Sequence, residues 1–377
     1  MILFKEEHNI FRNSLRKFIE KEIQPFVEEW EEKRYFPDEL FIKMGKQGFL
    51  GAIVPEKLGG FGGDYLYGAV MTEELTRSGS GGIEAGIGMH SLIVINSLIK
   101  YSTSEQKKRF LTQAIKGEKI GALGVTEPNT GSDVFNIQTK AEKKDGYYLL
   151  NGSKIFITNG IRADFVIVLA KTDSSAGYGG FTMLIVEKGF KGFSVSRKID
   201  KVGWWASDTG ELSFDDVKVP FENILGGEGE GFYQTMSNFE WERLIMALGS
   251  NAASQLALEQ GLEYGKNRKA FGRPIGKFQI WRHRFAHYSS LLEAAKQLTY
   301  NGLELFNSGE SCLKEVTMAK YVSTELANKI ADMVLQFHGG YGYSMEYPLQ
   351  RFWRDARIGT IGGGTSEIML EIISKML

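Results

Sequence analysis

The sequence predicts a multi-domain α+β protein: an N-terminal all-α domain over residues 1–118, a middle β-barrel-like or β-sandwich domain over 119–226, and a C-terminal four-helix bundle over 227–377. Three observations carry this. Apolar residues recur every three to four positions in long stretches at both ends of the chain, the spacing of one helix face. The middle holds short β-branched and aromatic runs divided by turn residues, as strands do. At 377 residues and 42% hydrophobic content, the chain exceeds the roughly 250–300 residues at which a single core stops growing.

From Phe4, the residues Phe11, Leu15, Phe18, Ile19, Ile23, Phe26 and Trp30 form an apolar stripe with charges between them, an amphipathic helix that Pro25 is expected to kink. Helical patterns follow over 38–48, 68–78, 89–101 and 104–116, joined by glycine-rich loops such as 58–63. The expected strands are 147–158, 164–170, 180–186 and 211–219. Within the first, Asn151-Gly152 reads as a type I′ hairpin turn, because both residues tolerate positive φ. After the glycines of 226–231 the helical period returns over 232–267, 277–308, 314–336 and 366–377, and four helices with short connections make a bundle.

The 45 basic and 46 acidic side chains are interspersed and leave a net charge of −1, which gives no footprint for nucleic acid. The only cysteine, Cys312, excludes an intrachain disulfide framework, fits a reducing compartment and is read as structural. The N-terminal stretch Met1–Glu7 reads as neither a signal nor a transit peptide, and no run of about 18 apolar residues is found to span a bilayer. A cytoplasmic, prokaryotic protein is expected, or one lacking its targeting segment. His283 and His287 stand one helical turn apart, but no third ligand completes a site, and no metal is assigned.

The segment Gly121-Ala-Leu-Gly-Val-Thr-Glu-Pro-Asn-Thr-Gly-Ser-Asp133 combines small residues with hydroxyls, so its backbone can approach a flat ligand while Thr126, Thr130 and Ser132 donate hydrogen bonds. Taken alone, such a loop is more simply a tight interdomain turn. Four further segments follow in order: Phe156-Ile-Thr158, the stretch Arg268-Lys-Ala-Phe-Gly-Arg-Pro-Ile-Gly-Lys-Phe-Gln279, Gln336-Phe-His-Gly-Gly340, and Arg357-Ile-Gly-Thr-Ile-Gly-Gly-Gly-Thr-Ser-Glu-Ile368. Together they resemble the signatures of the acyl-CoA dehydrogenases, and the similarity runs from the first helices to the last residue, nearest the long-chain-like and isovaleryl-like branches. Five motifs in one order are far more specific than one glycine loop.

The resemblance implies the acyl-CoA dehydrogenase fold and an FAD cofactor, bound without a Rossmann motif. Leu123, Val125, Thr126, Gly131 and Ser132 would line the flavin from the first loop. Phe156 and Thr158 would flank it from a strand. Arg268, Phe271 and Gln279 would reach FAD across a subunit interface, Arg268 at the pyrophosphate, with Gln336, Gly339, Gly340, Thr365 and Glu367 completing the set. It further implies a homotetramer built as a dimer of dimers and an electron-transfer flavoprotein as acceptor, with acyl-CoA as substrate and no nucleic-acid partner.

Desaturating an acyl thioester requires a base for the α-proton, and a carboxylate serves when burial raises its pKa while the thioester oxygen is held by hydrogen bonds. Relatives commonly place a glutamate immediately before the Gly-Thr pair, where this chain has Gly363. Glu242 answers the description: Thr235, Phe239, Met246 and Gly249 share its helix face, a mostly apolar stripe, whereas Glu240 lies on another side near Arg243. Trp241-Glu-Arg-Leu244 also resembles the Glu-Arg pair that supplies the base in those two branches. By resemblance, the Gly363 N–H holds the thioester oxygen, Ser132 and Arg243 contact the CoA part, and Gly362 and Gly364 border the acyl chain. Gly362 is expected to widen that pocket unless Trp204, Trp205 or Trp241 fills it. Two alternatives stay open: an acyl-CoA oxidase or flavin monooxygenase on the same fold, and a non-catalytic acyl-CoA or flavin-binding protein whose Glu242 is a structural acid.

Overall fold

A computed structural model of the protein describes residues 4–377, so the first three residues of the Met1–Glu7 stretch lie outside the described residues. Helix α1 (Glu6–Glu22) buries Phe11, Leu15 and Ile19. A 3-10 turn at Gln24–Phe26 separates it from α2 (Val27–Lys33), so Pro25 ends a helix rather than bending one. There follow α3 (Glu39–Lys46), α4 (Tyr65–Thr76), then α5 (Gly81–Gly88) and α6 (Ile95–Tyr101), which a π-helical stretch Met89–Val94 joins into one helix. The short α7 (Ser104–Gln106) and α8 (Thr112–Ile115) end the helical N-terminal part.

The joined helix Gly81–Tyr101 corrects one expectation and bears on another. It begins eight residues earlier than the 89–101 pattern, because its glycines oppose helix by propensity but allow close packing: Cβ atoms on Gly82 and Gly86 would lie 2.9 Å from the Ala206 nitrogen and 2.8 Å from Phe36. It is also long and apolar enough to cross a membrane, at 21 residues and hydropathy 1.4, although Glu84, His90, Asn96 and Lys100 interrupt any continuous apolar run. It is 78% buried inside the protein, as a central core helix is.

Strands β1 (Gly121–Gly124), β2 (Lys140–Lys143), β3 (Tyr147–Thr158), β4 (Phe165–Lys171), β5 (Phe181–Glu187), β6 (Phe193–Lys198), β7 (Thr209–Pro220) and β8 (Ile224–Leu225) form one sheet in the order β6-β7-β3-β2-β4-β5-β8, with β1 parallel beside β4. Tyr148, Leu150, Leu212 and Val219 from one half of the sheet share a core with Val166, Val168, Leu184 and Val186 from the other, so the sheet curls onto itself. The alternate residues Phe165, Ile167, Phe181 and Ile185 belong to the core of the helical N-terminal part. This two-sided burial makes β4 and β5 read as continuous apolar runs.

Asn151-Gly152 is no hairpin turn. It lies inside β3 at a bulge against β7, where Gly152 has φ 144° and Asn151 exchanges side-chain and backbone hydrogen bonds with Asp216. The turn stands earlier, at Asp145-Gly146 between β2 and β3, where the Lys144 N–H donates to the Tyr147 carbonyl. Asn-Gly suits any site needing positive φ, and the bulge needs one too.

The C-terminal part packs α9 (Gly231–Asn267), α10 (Gln279–Ser308) and α11 (Leu313–His338) with α14 (Ser366–Ser374) on α11. Between α9 and α10 a small hairpin of β9 (Lys269–Ala270) and β10 (Arg273–Pro274) turns on Phe271-Gly272, both at positive φ. The short α12 (Gly340–Tyr343) and then α13 (Leu349–Ala356), which the periodicity did not reveal, follow α11. Asp355 at the end of α13 accepts from the Gly81 N–H at 3.0 Å and the Trp204 N–H at 2.6 Å, so one carboxyl ties the two helical parts and the sheet domain together.

His90, fully buried, bridges that central helix to the sheet: the Gly121 N–H donates to Nδ1 at 3.1 Å, which leaves Nε2–H to donate to the Ala114 carbonyl at 3.0 Å. Burial draws the imidazole from 6.5 down to about 4. The unfolded chain therefore takes up this proton first as pH falls. Stability from this group is intact above pH 6.5 and erodes between 6.5 and 4, by about 3 kcal/mol at 1.36 kcal/mol per pH unit. Urea midpoints measured from pH 7 to 4 should fall less steeply for His90→Gln than for the native chain; parallel curves would refute the assignment.

Candidate active site

The place of each helix fixes the site. On α9, Trp241 is fully buried, its Nε1–H donating to the Leu92 carbonyl at 3.1 Å and its ring stacked on Phe306 at 5.5 Å and tilted against Tyr65 at 4.8 Å. That anchorage turns the next residue, Glu242, toward the C-terminal glycine turn. A Cβ built on Gly363 would lie 3.7 Å from Glu242 Oε1 and would overlap the Met246 sulfur. The carboxylate thus stands beside the missing side chain of residue 363. Gly363 and Gly364 take φ 61° and 97°, the left-handed region that a glycine enters without a Cβ penalty.

Burial pushes the Glu242 carboxyl above the usual carboxylate range, with Arg243 and Lys320 pulling the other way. Arg243 is buried with its Nε unpartnered, and burial lowers its pKa against the pull of Glu240 and Glu242. Lys320 on α11 is fully buried, donates its ammonium to the Gly364 carbonyl, and is drawn down to about 8, first by burial and then by Arg243. Lys320 was not found from sequence, since a lysine inside a helical pattern reads as solvent-facing. Gly362 faces Ile358 and Met246; Trp204 lies against Gly81, and Trp205 stacks with Arg34 and Arg354, so these indoles are engaged elsewhere.

The sheet supplies a second surface. Leu123 lies in β1 and Val125 directly follows the strand, both buried; Thr126 is partly exposed, and its carbonyl accepts from the Ile155 N–H at 2.8 Å. Gly131 and Ser132 are exposed on the loop beyond. Phe156, at φ 60° on a bulge of β3, turns its ring outward and is 63% exposed, two residues before the partly buried Thr158. A buried ion pair braces this loop from behind. Lys154 Nζ meets Glu127 at 2.8 Å and also donates to the Val125 carbonyl, while Glu127 accepts from the Gln138 and Thr139 N–H groups. Lys154 sits among inward-facing positions of its strand, which is the one signal that would have revealed it.

The remaining expected residues gather elsewhere. Arg268, Phe271, Gln279, Gln336, Gly339 and Gly340 are all exposed at one end of the bundle, where the Arg268 guanidinium faces the Tyr341 ring at 5.5 Å and Phe271 is 94% exposed. Gln336 and Lys320 are sixteen residues apart on α11, about 24 Å along its axis. Thr365 and Glu367 stay with the glycine turn, Thr365 capping α14 by accepting from the Ile368 N–H. The chain therefore presents two half-sites. Their chemistry fits FAD: an outward aromatic ring with hydroxyl and backbone donors on one half, an exposed arginine and glycines on the other; a Cβ on Gly131 of the first half, or on Gly339 or Gly340 of the second, would meet nothing within 4 Å. Among the described residues no three His, Cys, Asp or Glu side chains converge as metal ligands, and His283 and His287 are both exposed.

The family descriptions "Acyl-CoA dehydrogenase, N-terminal domain", "middle domain" and "C-terminal domain" match residues 5–118, 122–217 and 229–377. The chain belongs to the acyl-CoA dehydrogenase family. This is an oxidoreductase family whose members are FAD-dependent. The acyl-CoA dehydrogenase fold is shared with the crystal structure of acyl-CoA dehydrogenase from Geobacillus kaustophilus, at TM-score 0.96 and 40% identity over 99% of this chain and 98% of that one. The mitochondrial long-chain specific acyl-CoA dehydrogenase of Rattus norvegicus is 40% identical over 100% of this chain and 87% of its own length. The mitochondrial isovaleryl-CoA dehydrogenase of Solanum tuberosum is 40% identical over 100% of this chain and 92% of its own. Relatives of different acyl specificity are equally near, so overall identity does not select a substrate.

Gly363→Ala should slow anaerobic flavin reduction by an acyl-CoA at least tenfold with FAD content unchanged, since the methyl overlaps Met246 and an L-residue at positive φ costs about 1–2 kcal/mol. Adding Met246→Ala should restore part of the rate. An unaffected single variant would show that this turn does not sit at the reaction centre.

Proposed function

We propose that the protein oxidises an acyl-CoA thioester to the trans-2-enoyl-CoA, with Glu242 removing the α-proton. The observation that carries this reading is the carboxylate of Glu242 beside Gly363, on the side where a side chain at 363 would stand, in a buried setting that raises its pKa. A base poised nearer neutrality is better matched to an α-carbon acid than an ordinary exposed carboxylate. The Gly363 N–H receives the thioester oxygen, which acidifies the α-carbon in the same place where the base waits. Arg243, buried and without a partner for its Nε, and Ser132, exposed on its loop, receive the CoA part. Bound FAD would supply the acceptor for the hydride leaving the β-carbon.

The same reading includes a homotetramer built as a dimer of dimers and an electron-transfer flavoprotein as acceptor, in a cytoplasmic setting. The glycine turn held by Lys320 and the exposed Arg268, Phe271 and Gln336 end of the bundle, with Lys320 and Gln336 about 24 Å apart along α11, support a dimer in which Arg268 and Phe271 of one protomer serve the FAD held on its neighbour. Chain domains of 1–118, 119–226 and 227–377 would meet around that cofactor.

Glu242→Gln should keep its FAD yet reduce it at least a hundredfold more slowly when acyl-CoA is added without oxygen, the lower end of what a positioned base contributes. Reduction at the native rate would remove Glu242 from the role. Because glycine stands at 362, with Met246 and Ile358 the nearest groups at 3.6 Å from where its Cβ would be, reduction rates across saturated acyl-CoA substrates should favour chains longer than about four carbons or branched ones. Strict preference for shorter chains would contradict the widened pocket.

A further inference from the structure

We propose that Lys320 is a positioning residue for this reaction: by holding the Gly364 carbonyl it fixes the left-handed Gly363–Gly364 turn, so that the Gly363 N–H and the Glu242 carboxylate address the same thioester. The inference rests on the assignment of Glu242 as base. Three observations support it. Lys320 is fully buried on α11 and its ammonium donates to the Gly364 carbonyl, across 44 residues of sequence. Residues 362–364 are three successive glycines, two of them at positive φ, so no side chain of their own restrains the turn. The turn is otherwise held from its far side, where Thr365 caps α14 and Ser366 donates to Glu325 at 2.6 Å.

A neutral side chain of equal length would fill the same volume, so packing alone does not call for a lysine. Burying an ammonium is costly unless it is paired and hydrogen-bonded. The groups that act on it are Glu242 and Arg243 from α9, Glu325 from α11 itself and Glu367 from α14; those on Glu242 are Arg243 and Lys320. Lys320 thus does two things at once. It anchors the backbone that receives the thioester oxygen, and its charge favours the ionised Glu242 against the desolvation that opposes it.

Lys320→Met and Lys320→Arg separate these from a merely structural role. Both should retain FAD. Lys320→Met should slow anaerobic reduction by an acyl-CoA roughly tenfold to a hundredfold, the scale of a misplaced reacting geometry, and should move the acid limb of its pH profile to higher pH, because the carboxylate loses a neighbouring cation. Lys320→Arg should recover the pH limb more fully than the rate. An acyl-CoA with sulfur in place of the β-carbon can lose its α-proton but has no hydride there to give, so the pH dependence of its long-wavelength absorbance with the flavin reports proton removal without turnover. That titration should shift in the same direction for Lys320→Met. If Lys320→Met keeps the native rate and both native pH profiles while Glu242→Gln is inactive, Lys320 has no positioning role and the base stands. If Glu242→Gln is itself unimpaired, the underlying assignment fails first.

Discussion

The burial of Trp241 is the constraint on which the geometry of the site depends. A single indole is enclosed by Gly68 of α4, the π-helical stretch before α6, and Phe306 of α10, and a Cβ on Gly68 would come within 2.8 Å of it. A helix of 37 residues can slide or rotate while keeping an apolar face, since its apolar residues are spread all around it. An aromatic side chain that is stacked and also hydrogen-bonded to a backbone carbonyl removes that freedom, because both the ring plane and the N–H direction must be satisfied together. Rotation of α9 by one residue, about 100°, would carry Glu242 away from Gly363 altogether.

Given that azimuth, electrostatics decides what Glu242 becomes. Desolvation is its largest influence and raises its pKa, while two neighbouring cations oppose it and lose. The net result is a carboxyl poised above the ordinary range but still ionisable. Neither cation forms a direct pair with it: Lys320 donates to the Gly364 carbonyl, and Arg243 is drawn by both Glu240 and Glu242. A direct, saturated salt bridge would have pulled the carboxylate down and made a structural acid of it. No ion pair or hydrogen bond from Glu242 to another side chain is found among the described residues, which is what distinguishes it from the buried Glu74 clasped by Arg12 and Arg16.

What the sequence made legible follows from the range of the interactions involved. The long helices and buried strands were readable because periodicity reports local burial, and the place of Glu242 beside Gly363 because its apolar face and the glycine at 363 could be put together along one chain. The central helix from Gly81 was misjudged because its glycines answer to Phe36 and Ala206, residues remote in sequence. Asn151-Gly152 was misjudged because positive φ serves a bulge as well as a turn. Asp355, Lys154 and Lys320 were missed for one shared reason: each is a buried charge whose partner is a backbone group or carboxylate brought in by the fold, and a charged letter in a helix or strand otherwise signals solvent.

With Glu242 of a helix proposed as the base, what the C-terminal loop must do changes. A loop that carried a catalytic side chain would need that residue's rotamer held by its own packing; three glycines carry none, and each gives up more backbone freedom on ordering than alanine would, roughly 0.5–1 kcal/mol per residue. The loop is thereby reduced to one function, presenting backbone N–H groups at a fixed angle, and its order must be supplied from outside. Lys320 on one side and the capped start of α14 on the other do this from α11, a helix that also packs along α9. The Glu242 carboxylate and the Gly363 N–H are then referenced to the same pair of packed helices, so a motion of the glycine turn relative to Glu242 requires breaking a buried charge-assisted hydrogen bond rather than merely rotating a side chain.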